Sequence, residues 1–208
     1  MARTGRQLAI RSGLLSLLLA SAAAVALATL SPGCGPAEDV DEGGAGDSNE
    51  CFYAFSNDFE NFTQWQHYHL ESDFAPSLVH ASGPRDVYIN QCPPAGATEF
   101  PVGTIIVKVI HQPGQTEPAV FAQVKHGCGY NAGGAPGWEW FDLLTEKNGG
   151  PANSVSVIWH GLTPPASMAY GGDPTECNVC HSTMGEGNDS IITSALNLKD
   201  MKCADPDF

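Results

Sequence analysis

Val102-Gly-Thr-Ile-Ile-Val-Lys-Val-Ile-His111 is the stretch that decides the fold. β-Branched residues fill most of it, and only Lys108 interrupts the apolar run. Branching at Cβ restricts a helix and suits a pleated, buried strand, so a strand is predicted over 102–111. Similar runs lie on both sides, separated by Gly and Pro. Residues 85–90 place Val87 and Ile89 on one face. Ala119–Lys125 sets Val120, Ala122 and Val124 opposite Phe121, Gln123 and Lys125. Residues 137–144 and 155–160 follow, bringing Trp138, Trp140 and Trp159. The links between runs are too short for a parallel crossover helix, which selects antiparallel neighbours. Before the strands, Phe52, Phe55, Phe59, Phe62 and Trp65 recur at helical spacing, with Asn57 and Glu60 placed as a capping box. They predict an amphipathic helix. Residues 71–84 read as loop, and 191–201 as a short helix. The expected class is α+β: mainly an antiparallel β-sheet with a few flanking helices and a C-terminal motif of two cysteines and a histidine.

That motif is Cys177-Asn-Val-Cys180-His181, the C-x-x-C-H attachment signature of c-type haem. Two thiols three positions apart share one face of a helical turn, and the adjoining His181 is placed to ligate the iron. Half a zinc site, a redox pair and a structural disulfide are the alternatives. No second C-x-x-C and no H-x₃₋₅-H follows for zinc, and no βαβ pattern accompanies a redox pair. The Gly127-Cys-Gly129-Tyr-Asn-Ala132 run imitates a dinucleotide fingerprint, but Gly133, Gly134 and Pro136 follow where a helix should open; it reads as a loop.

The chain opens with Arg3, Arg6 and Arg11, then an apolar run over 14–30, with no acidic residue before Glu38. This is a secretory signal, assigned to 1–33. Leu30-Ser-Pro-Gly-Cys34 resembles a bacterial lipobox that would place a lipid on Cys34; simple cleavage and release is the alternative. Residues 34–50 are rich in Gly, Asp, Glu and Ala and read as an acidic flexible linker. The domain is placed at 51–208, with export to the periplasm and membrane attachment only through Cys34. The formal net charge of −14 argues against nucleic acid, which needs basic patches, and suits a basic redox partner.

Seven cysteines are ordinary for an exported protein. With Cys34, Cys177 and Cys180 assigned, Cys51, Cys92, Cys128 and Cys203 allow two disulfides in any of three pairings. Cys92–Cys128 with Cys51–Cys203, which ties the ends of the domain together, is the pairing expected. The histidines outside the haem motif show no ligand spacing, although His67 and His69 would face one way on a strand.

Arg85-Asp-Val-Tyr-Ile-Asn90, Phe100-Pro-Val-Gly-Thr-Ile-Ile-Val-Lys108, Ala122-Gln-Val-Lys125, Gly137-Trp-Glu-Trp140 and a late C-x-x-C-H together resemble the cytochrome P-460 family, which includes the cytochromes c′-beta. The resemblance covers most of 52–195. It implies a mostly antiparallel β fold, a homodimer, and one five-coordinate haem c. Some members oxidise hydroxylamine and nitric oxide; others bind nitric oxide. Carried over, Cys177 and Cys180 are the thioether cysteines and His181 the axial ligand. Lys108 matches the lysine bonded to the porphyrin in the enzymatic members. An edge-strand or snorkelling lysine is the alternative. Arg85 matches an arginine suited to a haem propionate, against a surface ion pair.

One departure bears on activity. Hydroxylamine oxidation needs a base near the distal ligand, and Phe121 stands where the enzymatic members carry a carboxylate. An apolar ring caps the iron and admits a small diatomic ligand, unless Phe121 is plain core. Glu117 and His126 are the substitutes for a base. The expected function is a mono-haem protein binding nitric oxide or a similar ligand under Phe121. The alternatives are an oxidoreductase with a Lys108–haem cross-link, or an electron carrier with Met168 or Met201 as sixth ligand.

Overall fold

The computed structural model describes residues 50–71, 83–152, 154–168 and 177–203. The expected signal peptide, almost all of the linker with Cys34, and most of the 71–84 loop lie outside them. Among the described residues six strands form one sheet: β1 (Gln66–Leu70), β2 (Arg85–Ile89), β3 (Ile105–Ile110), β4 (Ala119–Lys125), β5 (Trp138–Thr145) and β6 (Val155–Gly161). Spatial order follows chain order, and every pair is antiparallel. Short links leave a strand little choice but to pair with its predecessor.

All five expected strands are present, and β1 is an addition. β3 starts later than 102 because Gly103, at φ 82°, and the Thr104 N–H bonded to the Pro101 carbonyl (3.1 Å) make a turn first. The helical share is smaller than expected, so the domain is mainly β. It comprises one α-helix, α1 (Cys177–Met184), and four 3-10 turns among the described residues. The helix expected over 52–65 is instead two 3-10 turns, Ser56–Phe59 and Phe62–Gln64. Asn61, left-handed at φ 57°, breaks the ladder between them. Asp58, not Glu60, reaches back to the Phe55 N–H (2.7 Å). The helix expected over 191–201 shrinks to Ser194–Leu196.

Strand alternation sorts the core into two faces. One holds Tyr88, Val107, Val109, Val120, Ala122, Val124, Phe141 and Leu143, covered by Phe59 and Phe62. The other holds Val87, Ile89, Ile106, Trp138 and Trp140, covered by Ile191 and Leu196, with Cys177 packed alongside. A register shift in the β5–β6 ladder pairs Asp142 with Trp159 but Leu143 with Val157. The extra residue, Ile158, is exposed, and the bulge moves Trp159 to the second face while Val157 keeps the first.

The disulfides are Cys51–Cys128 and Cys92–Cys203, which corrects the expected pairing. Main-chain geometry decides it. The Phe52 N–H donates to the His126 carbonyl (2.9 Å) and Cys51 bridges to Gly127, so Cys51 arrives beside Cys128. Tyr68 donates to the Lys202 carbonyl (2.8 Å), which brings Cys203 to the β1–β2 end of the sheet. Two disulfides are what an oxidising compartment, extracellular or periplasmic, permits.

Candidate functional site

The second face of the sheet carries a row of directly opposed residues: Val87 on β2, Lys108 on β3, Phe121 on β4, Asp142 on β5 and Trp159 on β6. On β3 every other residue is buried, and Lys108 alone is half-exposed. Phe121 is half-exposed among mostly buried neighbours on β4. The two are direct cross-strand partners. They face one partly open cavity. Ile106, Gln123, Trp140 and Trp159 complete the sheet wall; Cys177, His181 and Thr193 supply the opposite one.

Pairing and exposure narrow the alternatives for these residues. Lys108 lies on a strand bonded on both sides, so it is no edge-strand lysine. Phe121 lines open space rather than sealed core. Arg85 is 5 % exposed, too buried for a surface ion pair. It begins β2 on this face, level with Ile110, but it does not line the cavity. Neither Met168 nor Met201 lines it. Glu117 is exposed. His126 turns to the other face, where Nε2 meets the Glu139 carboxylate at 2.6 Å and His160 Nδ1 meets it at 2.8 Å. None of these supplies a base to the cavity.

The helix wall is held by its own sequence. Asn178 accepts from Asn131 Nδ2 (2.7 Å) and from the Ala135 N–H (3.1 Å), pinning α1 to the loop before β5. Val179 points to solvent. Cys177 and Cys180 lie outside both disulfides, and both are half-buried. Burial pushes the Cys180 thiol up, with the Lys108 charge opposing. His181 is 7 % exposed and donates from Nδ1 to the Ser190 carbonyl (2.8 Å). That bond fixes the tautomer and leaves Nε2 as the lone pair. Burial, and after it the Lys108 charge, lowers the imidazole to about 4. It is therefore neutral at pH 7, the form that ligates a metal.

The Ser190 carbonyl is itself placed by a tight return. Gly185 and Ser190 approach so closely that a Cβ on Gly185 would overlap the Ser190 backbone, and Asp189 and Ser190 take left-handed φ of 47° and 63°. Three contacts from the sheet side hold that conformation. Lys125 Nζ reaches Asp189 Oδ1 at 2.6 Å, with both side chains at most 6 % exposed. The Phe100 N–H donates to Oδ2 (2.8 Å), and Trp138 Nε1 donates to the Asp189 carbonyl (2.7 Å). Trp140, its ring 5.5 Å from that of His181, carries a buried Nε1 with no hydrogen-bond partner.

No family model, curated protein or solved structure matches this chain. The site is read from its own residues. Gln123 and Trp140 were within reach of period-2 reasoning, since they share the face of Phe121 and Trp138. Asp189 and Ser190 carried no motif, and Thr193 none either.

Proposed function

We propose that this chain is an exported mono-haem c-type cytochrome of the P-460-like kind. Its five-coordinate haem would take nitric oxide or a similar small ligand at a site capped by Phe121. The observation that carries the reading is a convergence. Cys177 and a neutral, tautomer-fixed His181 line the cavity that Lys108 and Phe121 line from the sheet, and Cys180 stands on the same helix, near enough for the Lys108 charge to act on its thiol. These residues fit the group: Cys177 and Cys180 would hold it by thioether bonds, and His181 Nε2 would ligate the iron. Trp140 Nε1 adds an unused donor to the same space. Once bound, the haem supplies an open iron coordination position for a diatomic ligand. Phe121 and Trp159 keep water from that wall, and a phenyl ring takes no proton. Arg85 is kept for a propionate only if the group extends past Ile110.

A second reading is favoured by one observation: Lys108 lines the cavity, which suits a lysine cross-linked to the porphyrin and an oxidoreductase acting on hydroxylamine or nitric oxide. Asp142, opposite Phe121 in the ladder, is the nearest carboxylate in that row. Periplasmic location, a lipid on Cys34, a homodimer and a redox partner protein belong to the same proposal. The test is mass spectrometry and a reduced spectrum of protein made with haem-maturation machinery. One haem on the 177–181 peptide, an ordinary c-type Soret band and rapid nitric oxide binding are expected. A strongly red-shifted band that Lys108→Ala abolishes would favour the oxidoreductase, and absence of haem would overturn both.

A further inference from the structure

The chain that leaves α1 turns back on itself, and the sheet holds that return through a buried ion pair. The Gly185 N–H closes on the His181 carbonyl (3.0 Å), and the N–H groups of Asn188 and Ser190 both come back to the Gly185 carbonyl, at 3.1 and 3.0 Å. Asp189 and Ser190 are consecutive non-glycine residues in the left-handed region, a conformation that persists only where the surroundings over-determine it. Here they do. Lys125 Nζ donates to Asp189 Oδ1 (2.6 Å) and to the Pro136 carbonyl (3.0 Å), and it lies 5.2 Å from the centre of the Trp138 ring. Trp138 Nε1 in turn donates to the Asp189 carbonyl (2.7 Å), and the Phe100 N–H donates to the second carboxylate oxygen (2.8 Å). A buried ion pair often stabilises a fold no better than apolar residues of the same volume would, so its value lies in the geometry that it fixes. The atom it places is the Ser190 carbonyl oxygen, 2.8 Å from His181 Nδ1.

We propose that Lys125 and Asp189, with Trp138, are positioning residues for the axial histidine: they hold the Ser190 carbonyl on His181 Nδ1 and so set how strongly Nε2 donates to the iron. The inference rests on the haem reading above. A carbonyl that accepts from Nδ1–H raises the basicity of the opposite nitrogen and fixes the plane of the ring. Such hydrogen bonds are among the levers by which a protein sets the potential of a haem. Here the acceptor is main chain, so no side chain at position 190 decides it. Control passes to the groups that keep residues 189 and 190 in their left-handed step. Lys125 lies on β4, on the same face as Phe121 and Gln123, so one strand carries both the cavity cap and the clamp on the axial ligand. A clamp that merely packed the return would leave the donor strength of the imidazole unchanged, and the two roles separate on that point.

The test is the iron–histidine stretching band in the resonance Raman spectrum of the reduced, haem-loaded full chain, read together with its reduction potential. Asp189→Asn should move the band to lower frequency and raise the potential, because a weaker donor stabilises ferric iron less. Trp138→Phe keeps the ring and every charge but removes the donor to the Asp189 carbonyl, and it should move both readouts in the same direction by less. Glu139→Gln also removes a buried carboxylate, but on the first face of the sheet, and should leave the band where it is. If Asp189→Asn does not retain haem, Trp138→Phe decides. An unmoved band in the haem-loaded variants overturns this proposal alone. A parent chain that carries no haem overturns the haem reading and this proposal with it.

Discussion

His181 reaches a ligand-ready state through what surrounds it rather than through the motif that names it. Burial and the Lys108 charge hold the imidazole down to about 4, while the Ser190 carbonyl occupies Nδ1. With His181 unligated, the unfolded state protonates this group near 6.5 and the folded state only near 4. The unfolded chain thus binds the extra proton within that window, and stability of roughly 3 kcal/mol is lost as pH falls through it. Denaturant titrations from pH 7 to pH 4 should show the decline, and His181→Gln should flatten it. Asp189 carries the neighbouring burden. It neutralises buried Lys125 and holds the left-handed step that aims the Ser190 carbonyl. Asp189→Ala strands the Lys125 charge and should cost about 3–5 kcal/mol in urea unfolding. A loss under 1 kcal/mol would mean that the ion pair does not hold the segment.

Among the elements, the two 3-10 turns do the work that a longer helix was expected to do. They deliver Phe59 and Phe62, at 0 % and 4 % exposure, onto the first face of the sheet, and Phe55 is left in solvent. Phe59 packs on Phe141 with ring centroids 5.1 Å apart. Phe59→Ala should therefore cost about 3–5 kcal/mol, whereas Phe55→Ala should fall within about 0.5 kcal/mol; thermal melts of the two variants make the comparison. β3 and β4 form the other decisive element pair. Their buried apolar residues fill the first face, and the one directly opposed pair left half-open on both strands, Lys108 against Phe121, opens onto the cavity. The first face is occupied by core and the second by the site, so a substitution at Val107 or Val109 tests packing and one at Lys108 or Phe121 tests chemistry.

At the scale of the whole molecule, the disulfides tie the segments at Cys51 and Cys203, either end of the described domain, to the loops at Cys128 and Cys92. Cys92–Cys203 spans 111 residues, and Cys92→Ser/Cys203→Ser should lower stability by about 2–5 kcal/mol, measured by denaturant unfolding of the oxidised protein. Much of the architecture was legible in the residues alone. Branched apolar runs punctuated by Gly and Pro favour strands, because branching at Cβ restricts a helix and suits a pleated, buried surface, and links that carry no helical pattern favour antiparallel neighbours. C-x-x-C-H on a helix was equally local, since its meaning lies in spacing along one turn. β1 was missed because Gln66, His67 and His69 dilute its apolar signal, and its pairing with β2 compensates. The disulfide pairing was misread because four cysteines carry no record of which ends meet; hydrogen bonds from Phe52 and Tyr68 decide that. So the sequence by itself determined five of the six strands, their antiparallel pairing and the spacing of Cys177, Cys180 and His181 along a helical turn. Only the tertiary structure decided that the β6 bulge turns Trp159 to the cavity, that Asp189 and Ser190 reach His181, and that three histidines meet Asp86. Local periodicity specifies which way a side chain points along its own strand; register, bulges and chain return specify what it meets there.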